Sequence, residues 1–467
     1  MCSLTSCLVA TLALAVNPAY AFFRMPCSQP VTLQRADPIV SPGKLASHAH
    51  TVMGGNGFNF TMNYDTARAS TCTTCKASED LSNYWIPNLY YHASDGTFED
   101  VPQTGGMLVY YLQRSDPKDP EYEKGLLAFP EGFQMLAGNP SLRSFNNTLQ
   151  QRAISYACLG VDGPETHEIP PHNCPNGLRA QVMFPSCWDG KNLDMPDHKS
   201  HMAYPDRVDS GVCPESHPKR FVTIFYEVVF GIDQFKDRWH GDSHPFVFSN
   251  GDPTGYGLHG DFLNGWDVDV LQEAVNVCTA DSGVIEDCPV LTLQDDETMN
   301  GCRVPVQVDE KTTGVLEALP GCNPVTSGPD PAVPVRDDAC SATKVISPPI
   351  WPFTDVTTSN KFSYLGCAKD EYGSRSLDLA STSADDMTIE SCLDYCENKG
   401  YSLAGLEYGR ECYCGNAMEK SRLPVKGILG KCEMPCAGNK EQVCGGPGAL
   451  SLYKKCKSGS CKNAQIM

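Results

Sequence analysis

The sequence predicts a mostly β protein, a β-sandwich or jelly roll with long disulfide-braced loops, followed by a small cysteine-rich α+β domain. Three observations predict it. The stretch "RFVTIFYEVVFGI" from Arg220 to Ile232 is dense in β-branched and aromatic residues and apolar on both faces, as a central buried strand requires. Other strand-like runs are short and separated by long loops of Gly, Pro, Asn and Asp, while helical periodicity is rare. Cysteine is abundant, 24 in 467 residues, which favours disulfide bracing. A hydrophobic content of 41% excludes wholesale disorder, and a formal charge of −20 leaves no basic face for a nucleic-acid partner.

Taken in chain order, the apolar run from Cys7 to Val16 followed by Ala19-Tyr20-Ala21 reads as a secretory signal peptide over residues 1–21. The run is too short to cross about 30 Å of hydrocarbon, no later segment spans a membrane, and "SGSCKNAQIM" lacks a glycolipid-anchor tail. The expected product is secreted and extracellular. Removing Cys2 and Cys7 with the signal leaves 22 cysteines in three groups, Cys27 to Cys340, Cys367 to Cys444, and Cys456 with Cys461, each able to pair internally. Cys72-x-x-Cys75 has the spacing of a zinc half-site or redox motif, but export favours structural disulfides. Asn59 and Asn146 head glycosylation sequons, which suit surface positions.

A large β-rich domain is expected over residues 22–322. "SHAHTVMGG", "MLVYYLQR", "AQVMFPSCW" and "PFVFSNGD" are further strand candidates. "FLNGWDVDVLQEAVNVC", from Phe262 to Cys278, places Val268, Leu271, Ala274, Val275 and Cys278 at helical spacing. Residues 323–358 are rich in Pro, Ser, Thr and Asp without apolar period and read as a linker or extended strap. A second domain follows at 359–455, then a tail at 456–467.

Chemistry gathers in three glycine-punctuated segments. In "SHAHTVMGG", His48 and His50 alternate, so both project to one face of a strand, an arrangement that suits a divalent metal or a hydrogen-bonded pair. "CWDGKNLDMPDHKSHMAYPD" concentrates Asp189, Asp194, Asp197, His198 and His201. "SNGDPTGYGLHGDFLNGWD" adds Asp252, His259, Asp261 and Asp267. Loops of this kind bury little apolar surface and usually serve binding or catalysis. These segments, with "CTTCKASEDLSNYWIPNLYY" and "CPESHPKR", resemble the fungal secreted family called domain of unknown function nineteen-ninety-six over roughly residues 36 to 275. The resemblance implies a shared pocket and assigns no reaction.

"YLGCAKD", Cys392-x-x-x-Cys396, "GRECYCGNA" and "CEMPCAGNKEQVCGGPGALSLY" resemble a WSC domain, which implies carbohydrate binding. The eight family cysteines match Cys367, Cys392, Cys396, Cys412, Cys414, Cys432, Cys436 and Cys444. Cys392 and Cys396 share one face of the helix "TIESCLDYCENKG", which they would staple to a small sheet. Tyr401, Tyr408 and Tyr413 are candidates to stack on sugar rings.

The expected function is that of a secreted fungal cell-wall or polysaccharide-associated protein, the WSC domain binding β-glucan, xylan or another wall glycan and the large domain acting on it. For hydrolysis, Asp252, Asp261 and Asp267 are acid/base candidates, because two carboxylates about 5–10 Å apart are needed. For elimination, His48, His50, His201 and His259 supply a base or a metal site. Trp85, Tyr90, Tyr91 and Trp266 are candidate sugar-stacking surfaces. The rival expectation is a non-catalytic wall or adhesion protein. No GxSxG elbow, HExxH helix or P-loop occurs, so serine-hydrolase, zincin and nucleotide chemistries lack a motif. The convergence of His48, His50, His201 and His259 in one polar cleft is the expectation that structure tests most directly.

Overall fold

The run Arg220–Ile232 supplies the middle strand of a five-stranded antiparallel sheet. That strand, Thr223–Phe230, lies between Gln103–Gln113 and Leu178–Met183, with Ala21–Cys27 and Ile154–Cys158 outermost. Its central place explains why the run is apolar on both sides. The computed structural model describes residues 21–304, 307–333, 335, 353–424, 432, 434–457 and 461–463. The expected signal peptide up to residue 20, Cys340 and residues 336–352 of the expected linker therefore lie outside the described residues.

A second five-stranded antiparallel sheet runs in the order Thr32–Ala36, Leu45–Gly54, Asn83–Pro87, His259–Leu263 and Gln134–Gly138. One face of it contributes Met53, Tyr84, Phe262 and Met135 to the same buried cluster as Met25, Val109, Ile224 and Tyr226 of the first sheet. The two sheets are thus packed face to face as a sandwich. The opposite face carries Val52, Trp85 and Leu263, which the loop residues Ile39, Phe58, Phe60 and Val304 cover as a separate apolar cluster.

The expected helix over Phe262 to Cys278 is shorter than its pattern. Phe262 and Leu263 end the His259–Leu263 strand, and the helix occupies Val268–Val277, with the Asp267 side chain accepting from the Val270 amide as its N-cap. Bonds Cys27–Cys75, Cys72–Cys302, Cys158–Cys174, Cys187–Cys213 and Cys278–Cys288 brace the loops, so Cys72 and Cys75 reach two different partners and form neither a redox pair nor a zinc half-site.

The C-terminal region is a five-stranded sheet built from Phe362–Lys369, Ala449–Lys455, Leu403–Glu407, Glu411–Gly415 and Ala380–Ser383. Helix Ile389–Asn398 begins at a capping box on Thr388 and Ser391. Cys392 and Cys396, one turn apart, bond Cys412 and Cys414, which alternate to one face of a strand. The i, i+4 spacing of the helix thus meets the i, i+2 spacing of the strand. Cys367–Cys432, Cys436–Cys444 and Cys456–Cys461 complete the pairing there.

Residues past Cys322 begin packed against the large domain. Asn323 Nδ2 donates to the carbonyls of Ser47, Ser249 and Pro320, the Thr326 amide donates to Gly251, and the Ala332 amide to Ser141. At least its first ten residues therefore form a strap rather than a free linker. Among the described residues no helix is long and apolar enough to cross a membrane.

Candidate functional site

"SHAHTVMGG" folds as the strand Leu45–Gly54, and its alternation puts His48 and His50 on the outer face of the second sheet. His50 stands opposite Pro87 on one side of the strand Asn83–Pro87, and on its other side Asp261 stands opposite Trp85, with His259 two residues before Asp261. The strands of His50 and His259 are two spacings apart, about 10 Å, and the rings reach across the strand between them to a centroid separation of 5.8 Å. His48 joins them, with its ring 4.3 Å from His50 and 5.0 Å from His259. All three side chains are buried, and one nitrogen from each lies within 4.8 Å of the others.

The donor and acceptor inventory fixes one self-consistent proton arrangement. His259 Nδ1 is 2.9 Å from the Gly257 carbonyl, so Nδ1 carries the proton and Nε2 holds a lone pair. His48 Nε2 is 3.0 Å from that Nε2 and must donate to it. His48 Nδ1 then accepts from the Ser47 hydroxyl, 2.9 Å away. His50 makes no hydrogen bond through either nitrogen. The Ala36 carbonyl is near enough to favour a proton on this ring without meeting it in hydrogen-bond geometry.

Burial pushes all three imidazoles towards the neutral form. His48 and His50 are held well below the usual histidine range, first by burial and then by the neighbouring histidines, and His259 is pushed down to about 4, mainly by burial. Cations ring the cluster but are themselves compensated. Arg35 pairs with Glu310 at 2.6 Å and Arg143 with Asp252 at 3.6 Å, while Lys199 is attracted by Asp261 and donates to the Gly138 carbonyl. Gly138, opposite His259, has φ +81°, and a Cβ there would sit 2.5 Å from the Leu258 carbonyl, so only glycine lets the two strands meet at this end of the site.

His201 is not part of this cluster. Its Nε2 lies 2.9 Å from the carbonyl of Gln134, which stands opposite Leu263, four residues along the strand from His259 and so about 13 Å away at ~3.3 Å per residue. His198 pairs with Asp194 at 2.8 Å in the same loop. The expected four-histidine cleft is therefore a three-histidine cluster.

The carboxylates separate in the same way. Asp252 is fully buried but spent, accepting from the Thr254 amide and hydroxyl and the Gly257 amide, and it braces the loop whose Gly257 carbonyl orients His259. Asp267 caps a helix and faces Arg68 at 4.0 Å. Asp261 does share the outer face with His259, two residues away. Its Oδ2 is buried without a partner, and burial together with Asp37 holds its carboxyl well above the usual range. Asp37, pushed up to about 6 chiefly by burial, accepts from the amides of Ile39 and Val40. Of the three aspartates only Asp261 thus keeps an unpaired carboxyl oxygen, where hydrolysis would need two available carboxyl groups.

Trp85, Tyr90 and Trp266 are 0% exposed and Tyr91 is 3%, so none of them can present a ring to a sugar. They are core residues: Trp85 packs edge-on to Phe58, and Trp266 donates to Tyr111 at 2.7 Å. In the C-terminal domain Tyr408 is exposed, Tyr401 half-buried, and Tyr413 half-buried beneath the Arg375 guanidinium, 4.6 Å from its ring centre. Asn59 and Asn146 are both exposed.

Access to the cluster is by a small cleft of about 50 Å³ at His48, walled by Ser47, Pro140, Asn250 and, from the strap, Asn323 and Thr326. Its volume holds a few waters. Ser47, Lys199, Arg143 and Asn323 complete the surroundings of the histidines and carry no local sequence signal for that role. Lys199 and Ser47 at least fall inside motifs that the sequence singles out.

A family model described as domain of unknown function (DUF1996) matches residues 37–266, and a WSC domain model matches residues 364–446. Among curated proteins, the chain is 42% identical over 106 residues to a WSC domain-containing protein of Arthroderma benhamiae, covering 22% of this chain and 11% of that one. It is 35% identical over 113 residues to Kremen protein 2 of Mus musculus, 24% of each chain. To a putative fungistatic metabolite of Chaetomium globosum it is 42% identical over 104 residues, 21% of this chain and 43% of the other. The chain thus spans less than half the length of each of these relatives.

Proposed function

Because this chain carries a DUF1996 domain followed by a WSC domain, we propose that it is an extracellular, polysaccharide-associated protein whose WSC domain holds it on wall glycan while the large domain acts on that glycan at the His48, His50 and His259 cluster. The observation that carries the reading is the cluster itself. Three neutral imidazoles share one buried spot at the end of a cleft, and Asp261, two residues from His259, keeps one carboxyl oxygen without a partner. Such a set favours proton abstraction or ion-assisted chemistry over two-carboxylate hydrolysis, for which Asp252 and Asp267 are already committed elsewhere. The disulfide bracing and the WSC match support an extracellular setting. Asn59 and Asn146 are its proposed glycosylation sites.

The test has two arms. Deleting residues 359–467 should abolish pull-down on insoluble wall glucan or xylan and leave the large domain folded, because the described disulfides of the two regions do not cross between them. Undiminished pull-down by the truncated chain would remove the anchoring role. Incubation of the intact protein with a panel of fungal and plant polysaccharides should release shortened products, and His48→Ala and His259→Ala should each stop release without stopping secretion. A second reading, a wall or adhesion protein in which both domains bind and neither cuts, is favoured by the narrowness of the cleft, which has no room for a sugar ring. Pull-down without product on every glycan would select it.

A further inference from the structure

We infer that His48, His50 and His259 bind one divalent ion of the late first-row class, zinc or copper. Two of the rings are held through their second nitrogens. In metal sites the ligating histidine fixes its tautomer by bonding its second ring nitrogen to a carbonyl, hydroxyl or carboxylate, which turns the first nitrogen to the ion. His259 does this through Nδ1 to Gly257, and His48 through Nδ1 to Ser47, and both Nε2 atoms then point at each other across 3.0 Å. That separation suits two neighbouring ligands of one ion at metal–nitrogen distances of about 2.0–2.1 Å. The Ser47 hydroxyl can accept as well as donate, so His48 can move its proton to Nδ1 and free Nε2 for the ion while keeping its partner.

His50 is the independent observation. It is 0% exposed and neither nitrogen has a hydrogen-bond partner. Leaving a buried polar group unsatisfied is unfavourable, and an apolar side chain would fill the same space without that penalty. A histidine in this position is accounted for by a lone pair that something else uses. The surroundings tolerate a dication, since Arg35 and Arg143 each face a carboxyl group, Glu310 at 2.6 Å and Asp252 at 3.6 Å, and Lys199 is turned to the Gly138 carbonyl. Three imidazoles select zinc or copper over calcium or magnesium, which take oxygen ligands. The only other cluster of metal-ligating side chains among the described residues, Cys392, Cys396 and Cys412, is closed by disulfides.

The inference rests on the proposed reading only for what the ion would do to a glycan, and its test reads the ion and not the activity. The full-length secreted protein is stripped with chelator, dialysed, and titrated separately with Zn²⁺, Cu²⁺ and Ca²⁺, with stoichiometry read by calorimetry and native mass spectrometry. One equivalent of zinc or copper per chain is expected, and none of calcium. His50→Leu should weaken uptake by more than the roughly 10–100-fold that changes to second-shell partners cause, and His259→Gln should do the same. Should these variants fail to be secreted, the copper-loaded wild type decides, since its electron paramagnetic resonance spectrum should show coupling to imidazole nitrogens. Absence of uptake by the folded wild type, undiminished uptake by folded His50→Leu, a preference for calcium, or a copper spectrum without nitrogen coupling would each overturn the site. Zinc and copper are distinguished by which of the two withstands competition by the chelator. Metal uptake without product on any polysaccharide would leave the ion site standing and remove the catalytic reading alone.

Discussion

On the inner face of the histidine-bearing sheet, Trp266 donates to Tyr111, Tyr111 to Tyr84 at 2.6 Å, and Tyr84 to Asp80 at 2.5 Å. On the outer face, a strand's thickness away, the His48–His259 pair is joined by His50, which bonds to nothing, and by Asp261 with one oxygen unpaired. Both groups are buried. The inner relay is directional and complete, each donor pointing at the next acceptor until the carboxylate ends it, so it locks two sheets together and leaves nothing for a ligand. The outer group keeps unused lone pairs. Satisfaction, more than burial or polarity, separates a polar cluster that holds a fold from one that can hold something else.

That contrast can be broken by substitution. Trp266→Ala should cost most, about 3–5 kcal/mol, since it removes a fully buried indole and the head of the relay. Urea unfolding with the disulfides intact measures it, and a cost below about 1 kcal/mol would mean that the inner relay does not hold the sheets.

The next effect is one of pH. Burial pushes Asp80 up to about 6, against the hydrogen bonds from Ser82 and Tyr84 that lower it. The folded chain therefore keeps a proton that the unfolded chain releases near pH 4. The stability from this group is full below pH 4 and is lost as pH rises through 6, on the order of 3 kcal/mol. Asp80→Asn should flatten that decline, as read from urea midpoints across the window; an unchanged slope would place the proton elsewhere.

Smaller still, Tyr84→Phe should cost about 1–3 kcal/mol by leaving Asp80 and Tyr111 short of a partner. On the outer face His50→Leu should leave stability within about 1 kcal/mol of the wild type, or raise it, because an apolar side chain replaces an unsatisfied one. Equal losses for these two variants would erase the distinction between the faces.

Much of the fold was legible because it depends on local pattern. The apolar run at Arg220–Ile232 announces a central strand, and the spacings of Cys392, Cys396, Cys412 and Cys414 announce a helix stapled to a strand. His48 and His50 share a face by period two alone. What brings His259 to them is not local. It follows from two registers along the strand Asn83–Pro87, with His50 opposite Pro87 on one side and Asp261 opposite Trp85 on the other, and nothing in either segment records them. His201 belongs to an equally suggestive motif and ends at Gln134 instead. Residue type misled where one side chain serves two purposes. A tryptophan reads the same whether it lies in a core or under a sugar, and Asp252 in a glycine-rich loop looks like an acid while it works as a brace. The start of the helix was better marked than its apolar pattern suggested, since Asp267 ahead of "VDVLQEAV" is a capping signal that the periodicity of Phe262 and Leu263 obscured.

Asn323 ties Ser47, Ser249 and Pro320 with a single side-chain amide, and Ser47 lies 276 residues before it. During synthesis the histidine strand therefore emerges long before the clasp that closes beside it. The Cys72–Cys302 bond imposes a similar delay, with 230 residues between its ends. A nascent chain that has just delivered His259 holds all three imidazoles but neither of these late closures. Maturation of the pocket is in this way scheduled to the end of the domain's translation.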